Sequence, residues 1–114
     1  MSYIETLRSR AKMIEDWKVW AKKVANAAKT IMPDAKVYVF GSVIRGEATG
    51  GSDVDMLIVS QNVPGKVLEQ SGIKVKIEDM AGLPIYHPFE IHLATRDESE
   101  QYLAVAGKHI TKIG

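Results

Sequence analysis

Two aspartates of this chain stand two residues apart at the head of an apolar run. Asp53 and Asp55 flank Val54 and lead into Met-Leu-Ile-Val, residues 56–59. On a strand this spacing places both carboxylates on one face, about 6–7 Å apart. Like charges so close are costly unless water or a cation lies between them, and Mg²⁺ prefers carboxylate oxygens. Alone, such a pair is more often a solvated strand end, but the apolar run supplies the rigid support that a metal site needs.

A glycine and a serine follow the strand that precedes this pair. At Gly41-Ser42, a strand-to-helix turn would let backbone N–H groups approach a phosphate closely. The Ser42 hydroxyl can cap the next turn or donate to a phosphate oxygen. Arg45 lies three residues on, where it either meets a triphosphate or is a solvated loop charge. For an isolated Gly-Ser pair, a plain turn with a serine cap is the commoner explanation.

A third carboxylate occurs in a segment with strict alternation. Phe89-Glu-Ile-His-Leu, residues 89–93, predicts a strand with one wet face shared by Glu90 and His92. If that strand lies beside the strand of Asp53 and Asp55, three acids converge. An isolated strand acid is more often on the surface, and we interpret His92 as a nearby polar residue rather than a ligand.

The elements that must position these residues form a simple series. We predict one helix over residues 3–32, opened by a Ser2/Glu5 capping box and ended by Pro33. Strands follow over 35–40 and 53–59, then a loop and an amphipathic helix within 61–82, a strand over 89–93, and a helix from 97 to about 105. This order predicts an α+β fold of mixed α/β layers, a small mixed β-sheet covered by helices.

Length and composition favour a single domain over residues 1–114, with an N-terminal helix (1–32), a catalytic core (35–95) and a C-terminal helix and tail (97–114). The absence of cysteine excludes disulfides, thiolate metal sites and cysteine nucleophiles. A net charge of +1 argues against nucleic-acid binding through bulk charge. No apolar run is long enough for a membrane span, and charges in the first residues argue against a secretory signal. We therefore expect a cytoplasmic protein.

Together, these pieces resemble a known signature. Phe-Gly-Ser-Val-Ile-Arg-Gly (40–46) followed by Gly-Ser-Asp-Val-Asp-Met-Leu-Ile-Val (51–59) resembles the motif of the DNA-polymerase-β-like nucleotidyltransferase superfamily, most of all its minimal nucleotidyltransferase family. The resemblance covers roughly residues 35–95. It implies a nucleotidyltransferase-like fold and a Mg²⁺-dependent enzyme with ATP as the substrate.

The resemblance also implies roles for individual residues. Gly41 and Ser42 would hold the nucleotide's phosphates, with Arg45 and Ser52 also assigned to nucleotide binding. The catalytic triad would bind two Mg²⁺ ions and consists of Asp53, Asp55 and Glu90. Glu90 would complete the ion that activates the acceptor hydroxyl and would take its proton. The superfamily usually has Asp at this third position.

Several functions remain open at this point. The first is transfer of AMP from ATP to a hydroxyl on a partner protein, since members of this family commonly accompany a helical HEPN-domain partner in toxin–antitoxin pairs. The second is a non-catalytic antitoxin that neutralises such a partner by contact alone. The third is a small-molecule nucleotidyltransferase, against which the lack of room for an acceptor domain counts. A polymerase is disfavoured by the near-zero net charge.

The predicted N-terminal helix has an unusually wide apolar surface. At about 100° per residue, its two apolar stripes together span an arc of roughly 200°, twice what one sheet face requires. We therefore predict that the stripe of Met13, Trp17, Trp20 and Val24 is buried by another chain, either a second copy or the HEPN-like partner.

Overall fold

The computed structural model of this chain describes residues 2–48 and 51–114. In chain order its helices and strands are α1 (Tyr3–Glu15), α2 (Trp17–Ile31), β1 (Lys36–Phe40), α3 (Ser42–Arg45), β2 (Val54–Val59), α4 (Val67–Ala81), β3 (Phe89–Ala94), α5 (Arg96–Ala106) and β4 (Ile110–Lys112). The predicted strands over 35–40, 53–59 and 89–93 are each confirmed to within one residue at either end. None of the helices in the described ranges combines the length and apolar character that a membrane span requires.

The strands form a mixed sheet, with the order β3-β2-β1-β4 among the described residues. β1 runs antiparallel to both β2 and β4, whereas β2 and β3 run parallel. Parallel neighbours need a crossover connection, and α4 lies in the segment that joins β2 to β3. The prediction of a small mixed sheet covered by helices is confirmed.

One face of the sheet is the hydrophobic core. Residues directly opposite each other on neighbouring strands point to the same side, so Val39, Met56 and Ile91 share this face. All three are buried. Helix α2 packs on β1 and β2, and α4 packs on α2. The helical layer thus buries the strands on which any site must be supported.

The opposite face carries the polar residues. Phe40, Asp55 and Glu90 are register partners across β1, β2 and β3, so their side chains share this second face. Helix α5 lies over part of it, because Tyr102 is in ring contact with both Phe40 and His92. The candidate site therefore lies on the α5 side of the sheet, in the angle between the sheet surface and one helix.

The single helix predicted over residues 3–32 is wrong in one respect, because Asp16 divides it into α1 and α2. Asp16 has φ −96° and ψ 26°, outside the helical region, and its carbonyl accepts the Val19 N–H three residues on, at 3.0 Å. Aspartate is poorly suited to a helix interior because its side chain competes for backbone hydrogen bonds. The two helices can then face the core separately, so the apolar arc deduced for one straight helix does not apply.

The stripe predicted to meet another chain lies partly in this chain's own core. Met13 and Val24 are only 5% and 0% exposed, so neither is available to a partner. Trp17 and Trp20 pack against the core while keeping part of their surface exposed. The prediction of a partner surface on this helix now depends on the two tryptophans.

The C-terminal segment was predicted as a helix and a tail, but the tail contains a strand. Helix α5 begins with a capping box in which the Thr95 hydroxyl accepts the Glu98 N–H and the Glu98 carboxylate accepts the Thr95 N–H. It ends at Gly107, which has φ 58°. The chain then returns as β4, which pairs with β1 along Tyr38–Phe40. A three-residue strand offers too few alternating positions to stand out in a sequence.

Candidate active site

The site is centred on Asp55, which lies in β2 between two neighbouring strands. The register places Phe40 of β1 on one side of it and Glu90 of β3 on the other. His92, two residues along β3 from Glu90, points to the same face. One ligand atom from each of Asp55, Glu90 and His92 lies within 4.8 Å of the other two. The parallel pairing of β2 and β3 thus brings together two carboxylates and an imidazole from distant parts of the sequence.

The distances within this group are longer than those of good hydrogen bonds. His92 Nε2 lies 3.5 Å from Asp55 Oδ1 and 3.7 Å from Glu90 Oε1. Strong N–H···O bonds measure about 2.7–3.2 Å. The Asp55 and His92 side chains are 27% and 24% exposed, and that of Glu90 is 54% exposed. Two carboxylates and an imidazole are groups that could hold a divalent cation.

Gly41 lies directly against the Asp55 carboxylate. Its φ of 90° and ψ of −155° form a conformation that side chains rarely adopt. A Cβ atom at this position would lie 2.5 Å from Asp55 Oδ2. Glycine is therefore required here by its dihedral angles and also by the close approach of the acid. The phosphate-binding role expected of Gly41 stays a prediction.

The other residues assigned to the nucleotide lie around the turn between β1 and β2. Ser42 is the first residue of the short helix α3. Arg45 is at its end, exposed, with Nε 3.3 Å from Glu47 Oε2. The Ser52 carbonyl accepts a hydrogen bond from Arg10. The described structure thus places Ser42 beside Gly41 and the site, whereas the Arg45 side chain pairs with a surface acid.

Asp53 does not belong to the group around Asp55. It forms an ion pair with an arginine that the sequence did not indicate. Arg10 Nη2 on α1 lies 3.2 Å from Asp53 Oδ1. The same guanidinium donates to the carbonyls of Tyr86, His87 and Ser52 at 2.9, 3.1 and 3.2 Å. Arg10 therefore ties α1 to the segments that precede both β2 and β3. Its partners lie more than forty residues away, so no local pattern in the sequence could have revealed them.

An aromatic wall stands beside the acids. The rings of Phe40, His92 and Tyr102 contact one another. The centroid of the Phe40 ring lies 5.8 Å from that of His92 and 6.4 Å from that of Tyr102, and the last two are 5.5 Å apart. With Asp55, Gln101 and Val105 they line an open cavity of about 420 Å³. The sequence reasoning did not assign Tyr102, because its place depends on how α5 packs on the sheet.

Another acid, Asp34, has a different environment. Asp34 precedes β1 and accepts hydrogen bonds from the Ser60 hydroxyl at 2.6 Å, the Gln61 N–H at 2.8 Å and the Asn62 amide at 2.9 Å. The hydrogen bond from Ser60, followed by that from the Gln61 backbone, lowers the pKa of Asp34 below its ordinary value. This carboxylate ties the start of β1 to the end of β2 and acts as a structural acid.

Comparison with known proteins identifies the fold and the family. The model of the nucleotidyltransferase domain family matches residues 21–108. A candidate nucleotidyltransferase from Sulfolobus solfataricus has a similar structure, with a TM-score of 0.59 and 20% identity over 96% of this chain and 83% of that one. Another candidate nucleotidyltransferase superposes with a TM-score of 0.57 and 26% identity over 82% of this chain and 96% of that one. No curated protein matches the chain in sequence.

The match to the family model includes the segments that form the site. It runs from within α2 to just beyond α5, and so contains Gly41, Asp55, Glu90 and the helix that covers them. A match over well more than half of the sequence decides membership. The chain belongs to the nucleotidyltransferase domain family.

Proposed function

We propose that this chain transfers a nucleoside monophosphate, AMP from ATP, to a hydroxyl group of a partner protein. The observation that carries the proposal is the pairing of Asp55 with Glu90 on adjacent strands, next to an open cavity. Nucleotidyl transfer itself follows from the family. The choice of ATP and of a protein acceptor goes beyond it.

Asp55 and Glu90 are the residues that would hold a divalent cation, and the donor set fits one, because their oxygens and His92 Nε2 converge within 4.8 Å. In the proposal Asp53 joins them and two Mg²⁺ ions are held. The bound ions supply positive charge that stabilises the entering and leaving oxygens of the phosphoryl group. Asp53 also forms an ion pair with Arg10, so Arg10 would compete with a cation for its carboxylate.

The reaction needs a group that accepts a proton, and Glu90 is suited to that task. Its side chain is 54% exposed, within reach of an acceptor that approaches through the cavity. The acceptor oxygen bonds to the α-phosphorus, the bond from that phosphorus to the α,β-bridging oxygen breaks, and pyrophosphate leaves. The acceptor's proton passes to the Glu90 carboxylate. Most of the rate would come from positioning and electrostatics.

The phosphates would be held by the turn after β1. Gly41 lies against Asp55 and Ser42 follows it at the start of α3, and backbone N–H groups in such a turn can bind phosphate oxygens. Ser52 and Arg45 would complete this side of the site. Arg45 is exposed and ends a helix of one turn, from where its side chain could exchange Glu47 for a phosphate.

A protein side chain suits the cavity better than a polar small molecule does. Phe40, Tyr102 and Val105 give one wall of the cavity an apolar, aromatic character. An aromatic acceptor such as a tyrosine could pack against this wall while its hydroxyl reaches the acids. The partner would be a HEPN-like helical protein or a second copy, and the partly exposed Trp17 and Trp20 are the remaining candidates for its contact on α2.

The test is transfer of label from ATP. Purified chain is incubated with ATP labelled at the α-phosphate or at the γ-phosphate, with and without the protein encoded next to it. We expect the α-label alone to appear on the partner, to depend on a divalent cation, and to be lost in Asp55→Asn but kept in Asp79→Asn, which changes an exposed acid on α4. Label that is absent under all conditions, or that survives in Asp55→Asn, would contradict the proposal.

One observation favours the non-catalytic antitoxin as a second candidate. Asp53, the first acid of the motif, is used in an ion pair with Arg10, an arrangement that serves the fold without any cation. If that is its whole role, the chain would bind and neutralise its partner equally well as wild type and as Asp55→Asn. The labelling experiment, repeated with a measurement of partner binding, separates the two functions.

A further inference from the structure

We propose that His92 donates a nitrogen ligand to the divalent cation of this site, so that the site prefers a first-row transition ion such as Co²⁺ to Mg²⁺. The inference rests on the proposed function, because it concerns the cation held by Asp55 and Glu90. It adds a ligand that the sequence motif does not include. It also changes the class of ion that the site selects.

The first support is distance. His92 Nε2 lies 3.5 Å from Asp55 Oδ1 and 3.7 Å from Glu90 Oε1. An ion bound at about 2.0–2.2 Å from each ligand atom holds neighbouring ligand atoms roughly 3 to 3.5 Å apart. The separation from Asp55 reaches that range and the separation from Glu90 is slightly larger. All three ligand atoms lie within 4.8 Å of one another, so rotation of the exposed Glu90 side chain towards the other two would complete the site.

The second support is the way in which the imidazole is held. The His92 ring contacts those of Phe40 and Tyr102, with centroid distances of 5.8 and 5.5 Å. These contacts restrict the ring and keep Nε2 directed at the two carboxylates. A ligand held in place before the ion arrives loses less freedom on binding.

His87, which precedes the same strand, differs from His92 in its hydrogen bonds. His87 Nε2 lies 2.6 Å from Glu78 Oε2, and its Nδ1 accepts the Phe89 N–H at 3.0 Å. Both ring nitrogens of His87 are thus occupied by short hydrogen bonds. His92 Nε2 has only long contacts to its two carboxylates, so this nitrogen remains able to bind an ion.

The third support is the position of Asp53. Its Oδ1 is 3.2 Å from Arg10 Nη2, and Arg10 is held in turn by three backbone carbonyls. Asp53 is not among the three residues that converge within 4.8 Å. His92 is therefore the third ligand of the ion that Asp55 and Glu90 share, whereas Asp53 would reach the second ion of the proposed pair only by leaving Arg10. Imidazole suits later transition ions, whereas Mg²⁺ prefers oxygen ligands, and this difference gives the predicted selectivity.

The experiment measures binding of Co²⁺ and of Mg²⁺ alone to the full chain by calorimetry, together with the X-ray absorption spectrum of the Co²⁺ complex. We expect outer-shell scattering from an imidazole ring in the wild type. In His92→Gln that scattering should disappear, and the preference for Co²⁺ over Mg²⁺ should fall at least about tenfold, the lower end of what even an indirect support of a ligand contributes. His87→Gln is the matched control and should keep both properties. If His92→Gln does not fold, His92→Asn takes its place.

A wild-type spectrum with oxygen ligands alone, an unchanged preference in His92→Gln, or no binding of Co²⁺ would each overturn the inference. The failure of this inference is distinguishable from failure of the proposed function. Transfer of label from ATP by a chain whose Co²⁺ complex lacks imidazole scattering would refute the nitrogen ligand alone. Imidazole scattering in a chain that transfers no label would refute the transferase function alone.

Discussion

Two carboxylates at opposite ends of β2 have opposite surroundings. Asp34, next to the end of β2, accepts three hydrogen bonds of 2.6 to 2.9 Å from neighbouring segments. Asp55, near the start of β2, lies 3.5 Å from His92 and close to the like charge of Glu90. An acid whose lone pairs are satisfied holds the fold together, while an acid next to another acid is available for a ligand. Asp34 is the more exposed of the two, so hydrogen-bond partners rather than burial distinguish the structural acid from the functional one.

The largest effect should come from the functional acid. Asp55→Asn removes a proposed cation ligand while keeping the shape of the side chain. We expect transfer from ATP to fall by more than about 100-fold, the upper end for a residue that only supports a ligand. Because the change also removes like-charge repulsion with Glu90, the free energy of unfolding should stay the same or rise. Activity assays and urea unfolding of the same preparation measure both quantities, and a folded, fully active Asp55→Asn chain would remove Asp55 from the site.

Gly41→Ala tests whether the functional acid needs the space that the glycine leaves. The added Cβ atom would stand 2.5 Å from Asp55 Oδ2, at a φ of 90°. We expect a loss of about 1–3 kcal/mol in the free energy of unfolding, together with loss of cation binding.

Gly82→Ala is the matched control. Gly82 has φ 71°, but no atom lies within 4 Å of the added methyl group. This control should cost about 1 kcal/mol and leave cation binding intact. If both variants bound the cation equally well, contact between Gly41 and Asp55 would have no functional importance.

Arg10→Ala tests Asp53, which is a proposed cation ligand like Asp55 but has a close side-chain partner like Asp34. The Arg10 side chain is only 19% exposed and bonds to three carbonyls as well as to Asp53. We expect the variant to lose about 1–2 kcal/mol of the free energy of unfolding, and hydrogen exchange to rise in α1 and around residues 84–88. Arg8→Ala, an exposed arginine one half-turn earlier, should change neither measurement. Equal effects of the two changes would show that Arg10 holds nothing in place.

The smallest effect concerns the structural acid and depends on pH. Hydrogen bonds from Ser60 and Gln61 lower the pKa of Asp34 in the folded chain. A group with a depressed folded pKa stabilises the fold above its unfolded pKa of about 3.9, and this contribution is lost as the pH falls through the folded value. Wild type should therefore be more stable than Asp34→Asn at neutral pH. The difference should shrink below about pH 4.

Urea unfolding of both chains between neutral and acidic pH measures this dependence. ATP labelling should be the same for Asp34→Asn as for wild type, because Asp34 takes no part in the proposed chemistry. A difference in stability that grows towards acidic pH would contradict the assignment of Asp34 as the hydrogen-bonded acid.

Much of the fold could be predicted because strands of this chain have clear patterns. The alternation in residues 89–93 located β3, and the apolar run after Asp55 located β2. The helix predicted within residues 61–82 is observed as α4, which continues through Gly72 because one glycine costs a helix only about 1 kcal/mol. The break at Asp16 escaped prediction because neither glycine nor proline interrupts residues 3–32, and the dihedral angles of Asp16 depend on how α1 and α2 meet the core.

The site was predictable only as far as local spacing reaches. The motif of Asp53 and Asp55 is contiguous, and Glu90 stood out by alternation. Their unequal environments could not be read from the sequence, because Arg10 reaches Asp53 from another helix. His92 appeared to be a neighbouring polar residue, since nothing local shows that the parallel register turns it towards Asp55. Tertiary contacts between distant segments decided these points.

The crossover between β2 and β3 has a thermodynamic consequence. Asp55 and Glu90 lie far apart along the chain and meet only when the two strands pair across α4. In the unfolded chain these two carboxylates are not held together, so a cation that both of them bind would bind the native state alone. Folding and ion binding are then linked equilibria, and free ion at about 100 times its dissociation constant would add roughly 2.7 kcal/mol to the free energy of unfolding. The concentration of free metal ion would thereby affect the stability of the folded chain as well as its activity.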